Sequence, residues 1–404
     1  MGIYEPSEDS YLIQKYVREL ALGRVLDMGT GSGIQALTAI TNPNAQFVIA
    51  ADTDPSVITA LEKKIQEQKI RKLQVVHSNL FSNIKGKFNL IIFNPPYLPQ
   101  DKGIEDQALY GGKKGWELSE KFFQQASPHL FPDGKILFLF SSLTNKKKID
   151  EILSHHLFQF RELEREKVAF EELYLYLIEK TPLLRELEKK GLQEVVYFTH
   201  GKRGDIYTAH LDQNQFIKKY IPQTKNNIKV AIKVERNEST AENRIENEIK
   251  WLQVVNQKGI GPKYLFHGDN YVVYKFVEGI FIEDWLESHE KKEIMTLLQE
   301  LLQQCFSLDQ LKINKEELHH PFKHIIITAH NHPVLIDFER CAQTDKPKNV
   351  TQLLEFFCRL EPALKEKGIM VDKEMVRKWA KEYKETGQKD IVQQIIALLE
   401  IVLV

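Results

Sequence analysis

The chain has 404 residues, 55 Lys+Arg against 56 Asp+Glu, and a formal net charge of -1. That length exceeds one ordinary domain and suggests two. No apolar run approaches the ~18 residues of a membrane span. Charge is even along the chain, with 22 basic against 23 acidic residues over 1–180 and 33 against 33 over 181–404. A nucleic-acid enzyme would carry a basic excess, so the balance favours a protein substrate. The clusters Lys113-Lys114 and Lys146 to Lys148 read as solvated surface. Cysteine is sparse (Cys305, Cys341, Cys358) with no C-x-x-C pair, which fits a reducing cytoplasm and no disulfide or zinc framework. Met1-Gly2-Ile3 opens no signal peptide.

In chain order, Tyr4-Glu5-Pro6-Ser7-Glu8-Asp9-Ser10 reads as a helix cap with acids in the first turn. Val25-Leu26-Asp27-Met28-Gly29-Thr30-Gly31-Ser32-Gly33 is a short strand entering a glycine loop, with a helix-like run from Ile34 to Ile40. Glycines at 29, 31 and 33 let the backbone approach a ligand with a helix N-terminus behind it. Phe47 to Asp52 is a second strand ending in an acid, the residue type that holds a ribose diol. Pro55 to Gln68 reads as a helix, and Leu73 to His77 as a strand running into Ser78-Asn79-Leu80-Phe81.

The apolar run Phe88 to Phe93 predicts a buried strand that empties into Asn94-Pro95-Pro96-Tyr97. That tetrapeptide suits methylation of a planar –NH2 group, whose delocalised lone pair makes it a poor nucleophile. The Asn94 side-chain oxygen and the Pro95 carbonyl can each accept one N–H, localising density on nitrogen and aiming it. Pro95 and Pro96 stiffen the loop, and Tyr97 offers a flat face to the planar group. The order strand–glycine loop, strand–acid, strand–NPPY fits an S-adenosylmethionine-dependent methyltransferase of the Rossmann-like class and leaves a dehydrogenase without a use for NPPY.

The segments Tyr4 to Ser10, the glycine loop, Asn94 to Tyr97 with Leu98-Pro99, Gly111-Gly112 with Gly115, and Ser141 to Thr144 together resemble the HemK-type methyltransferases of archaea and eukaryotes. The resemblance covers about residues 1–180. It implies methylation of the glutamine in the Gly-Gly-Gln loop of class I release factors. It further implies cofactor contacts from Ser10, Asp27, Gly29, Asp52, Asn79 and Leu80, and a small zinc-binding activator protein on an apolar edge. One departure is Asn79, where the family usually has Asp near the cofactor's adenine; altered affinity is expected there rather than loss.

The first domain is expected to close with a strand from Phe170 to Ile178, after a helix begun and capped at Asn145. Thr181-Pro182 breaks the pattern, and Leu183 to Lys190 reads as a connecting helix. In the second half, His200-Gly201-Lys202-Arg203-Gly204 predicts a glycine turn between strands, and Val230-Ala231-Ile232-Lys233-Val234 a strand with one lysine. A helical run follows from Glu242 to Val255, with Glu248 fifteen residues after Lys233. Gly259 to Pro262 is a turn, Tyr271 to Gly279 a strand, and Val334 to Glu339 a strand ending in an exposed acid, Asp337. A glycine loop over phosphates (Gly201, Gly204), a lysine held by Glu248 and a magnesium-ligating Asp337 make a nucleotide site.

In that order the residues of about 192–345 resemble atypical protein kinases of the RIO and lipopolysaccharide-kinase type. Two departures stand out. The expected Asp-Phe-Gly is Asp337-Phe338-Glu339. The catalytic loop aligns with His319-His320-Pro321-Phe322-Lys323-His324, which puts Pro321 at the general base and His324 at the metal-binding asparagine. Either a histidine, His319 or His320, substitutes, or the half binds ATP and magnesium without efficient transfer; both readings stay open.

The expected architecture is a Rossmann-like α/β methyltransferase over 1–180 with a mainly parallel seven-stranded sheet. A linker helix over 181–191 and an α+β two-lobed kinase-like domain over 192–404, closed by helices from Lys373 onward, complete it. Rival readings are an N6-adenine or guanine N2 methyltransferase on RNA or DNA, a protein-lysine methyltransferase, and an interaction protein whose second half is a scaffold.

Overall fold

The computed structural model describes residues 5–98, 111–168, 170–201, 204–211, 227–235, 244–386 and 390–395. Tyr4, Pro99, Lys202, Arg203, Glu242 and the stretch 396–404, all used in the sequence reading, lie outside them. The chain divides into two compact units, 1–197 with 209–227 and 198–208 with 228–404.

The first unit alternates strand and helix: α1 (Glu8–Leu20), β1 (Gly23–Met28), α2 (Ile34–Ala39), β2 (Ala45–Asp52), α3 (Pro55–Gln68), β3 (Leu73–His77), β4 (Phe88–Phe93), α4 (Glu117–Ala126), β5 (Leu130–Ser141), α5 (Lys146–His155), β6 (Phe158–Val168), β7 (Glu171–Lys180) and α6 (Pro182–Lys189). The sheet order is β3-β2-β1-β4-β5-β7-β6. Strands β1 to β5 run parallel and β7 returns antiparallel between β5 and β6. Central strands covered on both faces must be apolar throughout, which is why Phe-Asn-Leu-Ile-Ile-Phe at β4 reads as one run. On one face Leu12, Ile13 and Val17 of α1 pack against Val25, Val48, Leu90, Ile92 and Leu137. On the other, Phe93 stacks on Phe122 at 4.1 Å and Phe123 meets Phe138 edge-on at 5.1 Å.

Strand β6 is absent from the sequence reading. Its sequence FQFRELEREKV is an edge strand with mostly exposed or half-buried residues, so its charges mimic a solvated helix. The connecting helix α6 docks on the first unit: Leu184 and Leu187 are buried, and Lys180, fully buried, donates to Glu188 Oε2 at 2.6 Å.

A second, five-stranded sheet has the order β11-β12-β10-β9-β8, formed by β8 (Leu192–His200), β9 (Gly204–Leu211), β10 (Ile228–Glu235), β11 (Tyr264–His267) and β12 (Tyr271–Lys275). β10 pairs antiparallel with β12, placing Lys233 opposite Val272. A helix, Arg244–Val255, follows β10, and long helices Lys291–Gln310 and Asn349–Glu366 share one buried core with it. The predicted strand Val334 to Glu339 is corrected: the strand is Pro333–Leu335, and Asp337 sits in the left-handed region at φ 66. An acid in that conformation is turned out of the ladder; its side chain is 28% exposed, so it is mostly buried. The strand from Tyr271 likewise stops at Lys275.

Candidate active site

Asn94 follows β4 directly, at the carboxyl edge of the parallel strands, where such sheets open a crevice. Its Nδ2 donates to Asp9 Oδ2 at 2.8 Å, while its Oδ1 is buried and has no hydrogen-bond partner. Because the amide nitrogen is tied to a carboxylate, the oxygen is left as the free acceptor. A buried acceptor without a donor costs about 1–3 kcal/mol, and such groups persist in native structures where a ligand supplies the partner. Asp9 is itself 5% exposed and fixed: Ser10 N donates to its Oδ1 at 2.6 Å and Ser7 Oγ at 3.1 Å. Those contacts assemble the α1 cap and the NPPY loop into one element.

Two other segments brace that loop. Thr144 Oγ1 donates to the Tyr97 carbonyl at 3.0 Å. Gly111 N donates to the Leu98 carbonyl at 3.0 Å, and a Cβ at Gly111 would fall on the carbonyl oxygens of Pro96 and Gly115. Only glycine admits this approach. The Tyr97 ring lies partly buried against the core that contains Leu139 and Leu173. Gly111 to Gly115 and Ser141 to Thr144, scattered in sequence, therefore meet around Asn94 to Tyr97.

The glycine loop is held from below by Asp27. Its buried Oδ2 accepts from Thr30 Oγ1 at 2.6 Å and from Ala36 N at 3.0 Å. Burial pushes the Asp27 carboxyl up to about 6, against the pull of Thr30 and the Ala36 amide. Asp27 thus shapes the loop. Asp52, at the end of β2, accepts Gly31 N on Oδ2 at 2.9 Å and Asp54 N on Oδ1 at 3.0 Å. Gly29, at φ 68, has nothing within 4 Å of where a Cβ would stand, so space lies open over the loop; Gly33, at φ 77, packs on Leu61 instead. Ser10 is buried and its carbonyl accepts Gln35 Nε2 at 2.8 Å. Asn79 is exposed past β3, and Leu80 is buried at φ 47.

In the second unit the sequence-separated Lys233, Glu248 and Asp337 converge. Lys233 Nζ donates to Glu248 Oε2 at 2.6 Å, Asp337 Oδ1 at 2.9 Å and Glu339 Oε2 at 3.1 Å. Burial alone would lower the Lys233 pKa, but the three carboxylates outweigh it and hold it well above the usual range. Burial raises Glu248, with Lys233 opposing; at Asp337 the cations Lys233 and Lys315 overcome burial and pull the carboxyl down. The fully buried Lys315 bonds the Asp337 carbonyl and, at 3.2 Å, Glu317 Oε2. Gly201 N donates to the Gly204 carbonyl at 2.9 Å, closing the turn between β8 and β9.

The catalytic-loop reading changes in detail. His319 and His320 are exposed and bound to Arg359, through the His319 carbonyl at 2.6 Å and His320 Nδ1 at 3.1 Å. His324 is the histidine beside the acid, with Nδ1 3.7 Å from Asp337 Oδ2. Sequence reading named neither Asp9 nor Gly111 as site residues, although both stood in the segments that carried the resemblance. Lys315 and Arg244 gave no signal because their meaning comes from the fold, and Glu339 stood out only as a departure from Asp-Phe-Gly.

The family described as methyltransferase small domain matches residues 8–170. A putative protein N5-glutamine methyltransferase of Methanocaldococcus jannaschii is 33% identical over 42% of this chain and 88% of its own length. A release factor glutamine methyltransferase of Borreliella burgdorferi is 34% identical over 30% of this chain, which spans 46% of that relative. Methyltransferase HEMK2 of Mus musculus is 30% identical over 33% of this chain and 68% of its own length.

Proposed function

Because the chain belongs to the methyltransferase small-domain family, we propose that its first unit methylates the side-chain amide nitrogen of a glutamine. The proposed acceptor is the Gly-Gly-Gln glutamine of a peptide chain release factor. The single observation carrying this reading is Asn94: its amide nitrogen is tied to Asp9 and its buried Oδ1 lacks a donor. One N–H of a carboxamide supplies that donor, and the Pro95 carbonyl takes the other. Holding both N–H groups in the plane turns the nitrogen lone pair toward one face, which is orientation plus charge stabilisation. Tyr97 and Pro96 keep the plane, and Gly111 keeps the loop in place.

The methyl donor would sit over the glycine loop, where Gly29 leaves open space. S-adenosylmethionine, when bound, supplies a sulfonium-activated methyl group. Gly29 and Gly31 would let the backbone approach it, with Gly33 making room for Leu61 behind the loop, and Asp52 would receive the ribose hydroxyls. Ser10, Asn79 and Leu80 would border the rest, with Asp27 acting through the loop it holds. A planar carboxamide fits two fixed acceptors better than an ammonium does, which ranks glutamine above lysine. The even charge of residues 1–180 ranks protein above nucleic acid. By resemblance, a small zinc-binding protein serves as activator. Among the described residues no helix is long and apolar enough to cross a membrane, and three free, buried thiols suit a reducing cytoplasm. Incubation with labelled S-adenosylmethionine, the activator and a release factor, with and without its Gly-Gly-Gln glutamine, tests the proposal.

A second reading concerns residues from about 192, where the convergence on Lys233 favours a nucleotide site in a kinase-like domain. Carboxylate oxygens of Glu248, Asp337 and Glu339 lie within 4.8 Å of one another, a hard-oxygen set that suits magnesium. Asp337 would hold that ion, Lys233 would neutralise ATP phosphates and Glu248 would hold Lys233. Magnesium, when bound, supplies charge neutralisation. Loss of ATP-dependent thermal stabilisation in Lys233→Ala tests this reading.

A further inference from the structure

We infer that His324 and Asp337 form a divalent-cation site with a nitrogen ligand, separate from the carboxylate set around Lys233, and that this site takes a first-row transition ion in preference to magnesium. The inference rests on the nucleotide reading of the second unit and names the class of ion that would accompany the phosphates. The backbone pins the two residues side by side. His324 leads into the strand Ile325–Ile327, which pairs antiparallel with Pro333–Leu335, and Asp337 lies just past that second strand. Ile336 N donates to the His324 carbonyl at 2.9 Å, which extends the pairing to the residue before the acid.

The side chains meet at a spacing that suits ligands rather than hydrogen-bond partners. His324 Nδ1 is buried, has no hydrogen-bond partner, and stands 3.7 Å from Asp337 Oδ2. That gap is too long for a hydrogen bond, yet two ligands each about 2.1 Å from one ion can stand up to about 4 Å apart. Asp337 Oδ1 accepts from Lys233 Nζ at 2.9 Å, so the two oxygens of the acid serve different neighbours. Of the cations at Asp337, Lys233 is matched by its carboxylates, and Lys315 by Glu317 Oε2 at 3.2 Å, on a side chain 6% exposed. The resemblance to atypical kinases puts an asparagine where this chain has an imidazole. Magnesium keeps oxygen ligands and sheds water reluctantly, whereas imidazole favours transition ions, with affinity rising along the series from manganese. Phosphate oxygens and water would fill the remaining positions, so the ion would arrive with the nucleotide.

Manganese is the probe, because its unpaired electrons report a directly bound nitrogen in pulsed electron paramagnetic resonance. With the full chain, manganese and a non-hydrolysable ATP analogue, the wild-type spectrum should show modulation from a bound imidazole nitrogen, altered when the protein's histidines carry heavy-isotope nitrogen. That comparison separates histidine from the adenine ring and needs no variant to fold. His324→Asn should lose the modulation, and its preference for the manganese over the magnesium complex, measured by calorimetry, should fall about tenfold. A merely structural histidine would change the affinity for both complexes alike and leave their ratio as it was. Absence of histidine modulation in a wild type that binds manganese and nucleotide would overturn the inference, as would retained modulation or an unchanged ratio in folded His324→Asn. Wild type that binds the nucleotide with neither ion would instead sink the nucleotide reading, and the cation site with it.

Discussion

Replacing Asn94 by alanine should separate catalysis from stability. In the free protein the side chain makes one bond to a carboxylate, at 2.8 Å to Asp9, and carries one buried oxygen without a donor. Losing the first costs about 1.5–3 kcal/mol, while removing the orphaned oxygen returns about 1–3 kcal/mol. The two nearly cancel, so the melting temperature should move by only a few degrees, on the scale of about 1 kcal/mol. Turnover has no such offset. An acceptor that stabilises the polarised amide in the transition state is worth about 3 kcal/mol, or a hundredfold or more in kcat. S-adenosylmethionine affinity, measured by calorimetry, should stay close to wild type, since the role proposed for Asn94 is toward the acceptor amide. Near-normal turnover, or a fall in cofactor affinity that matches the fall in kcat, would refute the role given to the orphaned oxygen.

Three further outcomes are expected. Asp27 has its carboxyl pushed up to about 6 from an ordinary 3.8, so its stabilising contribution is full below pH ~4 and is lost as pH rises through about 6. Asp27→Asn should remove this loss, of about 3 kcal/mol, from denaturant titrations run across that range; an unchanged pH profile contradicts it. Gly111→Ala puts a methyl group onto the carbonyls of Pro96 and Gly115, so it should lower kcat at least tenfold while the circular dichroism of the protein stays wild-type; full activity contradicts the bracing role. Magnesium-ATP should raise the melting temperature of the second unit in wild type and in neither Lys233→Ala nor Asp337→Ala; a shift retained in both removes the nucleotide site.

Most of the first unit was legible in the sequence because its parallel strands are buried on both faces and its turns carry glycine, acid and proline at fixed places. Phe88 to Phe93 gave the buried strand directly, with the proline loop behind it. Strand β6 stayed hidden because an edge strand turns Arg161, Glu162, Arg165 and Lys167 to solvent, and that pattern is shared with exposed helices. Asp9 could be read as a first-turn acid, yet its bond to Asn94 spans 85 positions. The same holds in the second unit. Lys233 and Glu248 are fifteen residues apart and follow from strand and helix alone, whereas Glu339 comes just after the left-handed turn at Asp337 and Lys315 arrives from a separate strand, Ile313–Lys315. The strand assigned to Val334–Glu339 failed there because a turned acid leaves no mark in hydrophobic periodicity.

The most direct measurement is mass spectrometry of a release factor after incubation with the full chain, its activator and S-adenosylmethionine. The account predicts a single added methyl group on the glutamine of the Gly-Gly-Gln loop, absent with Asn94→Ala and absent when that glutamine is replaced. Methylation that persists on the replaced substrate, or that falls on lysine or on nucleic acid with the release factor untouched, would contradict it.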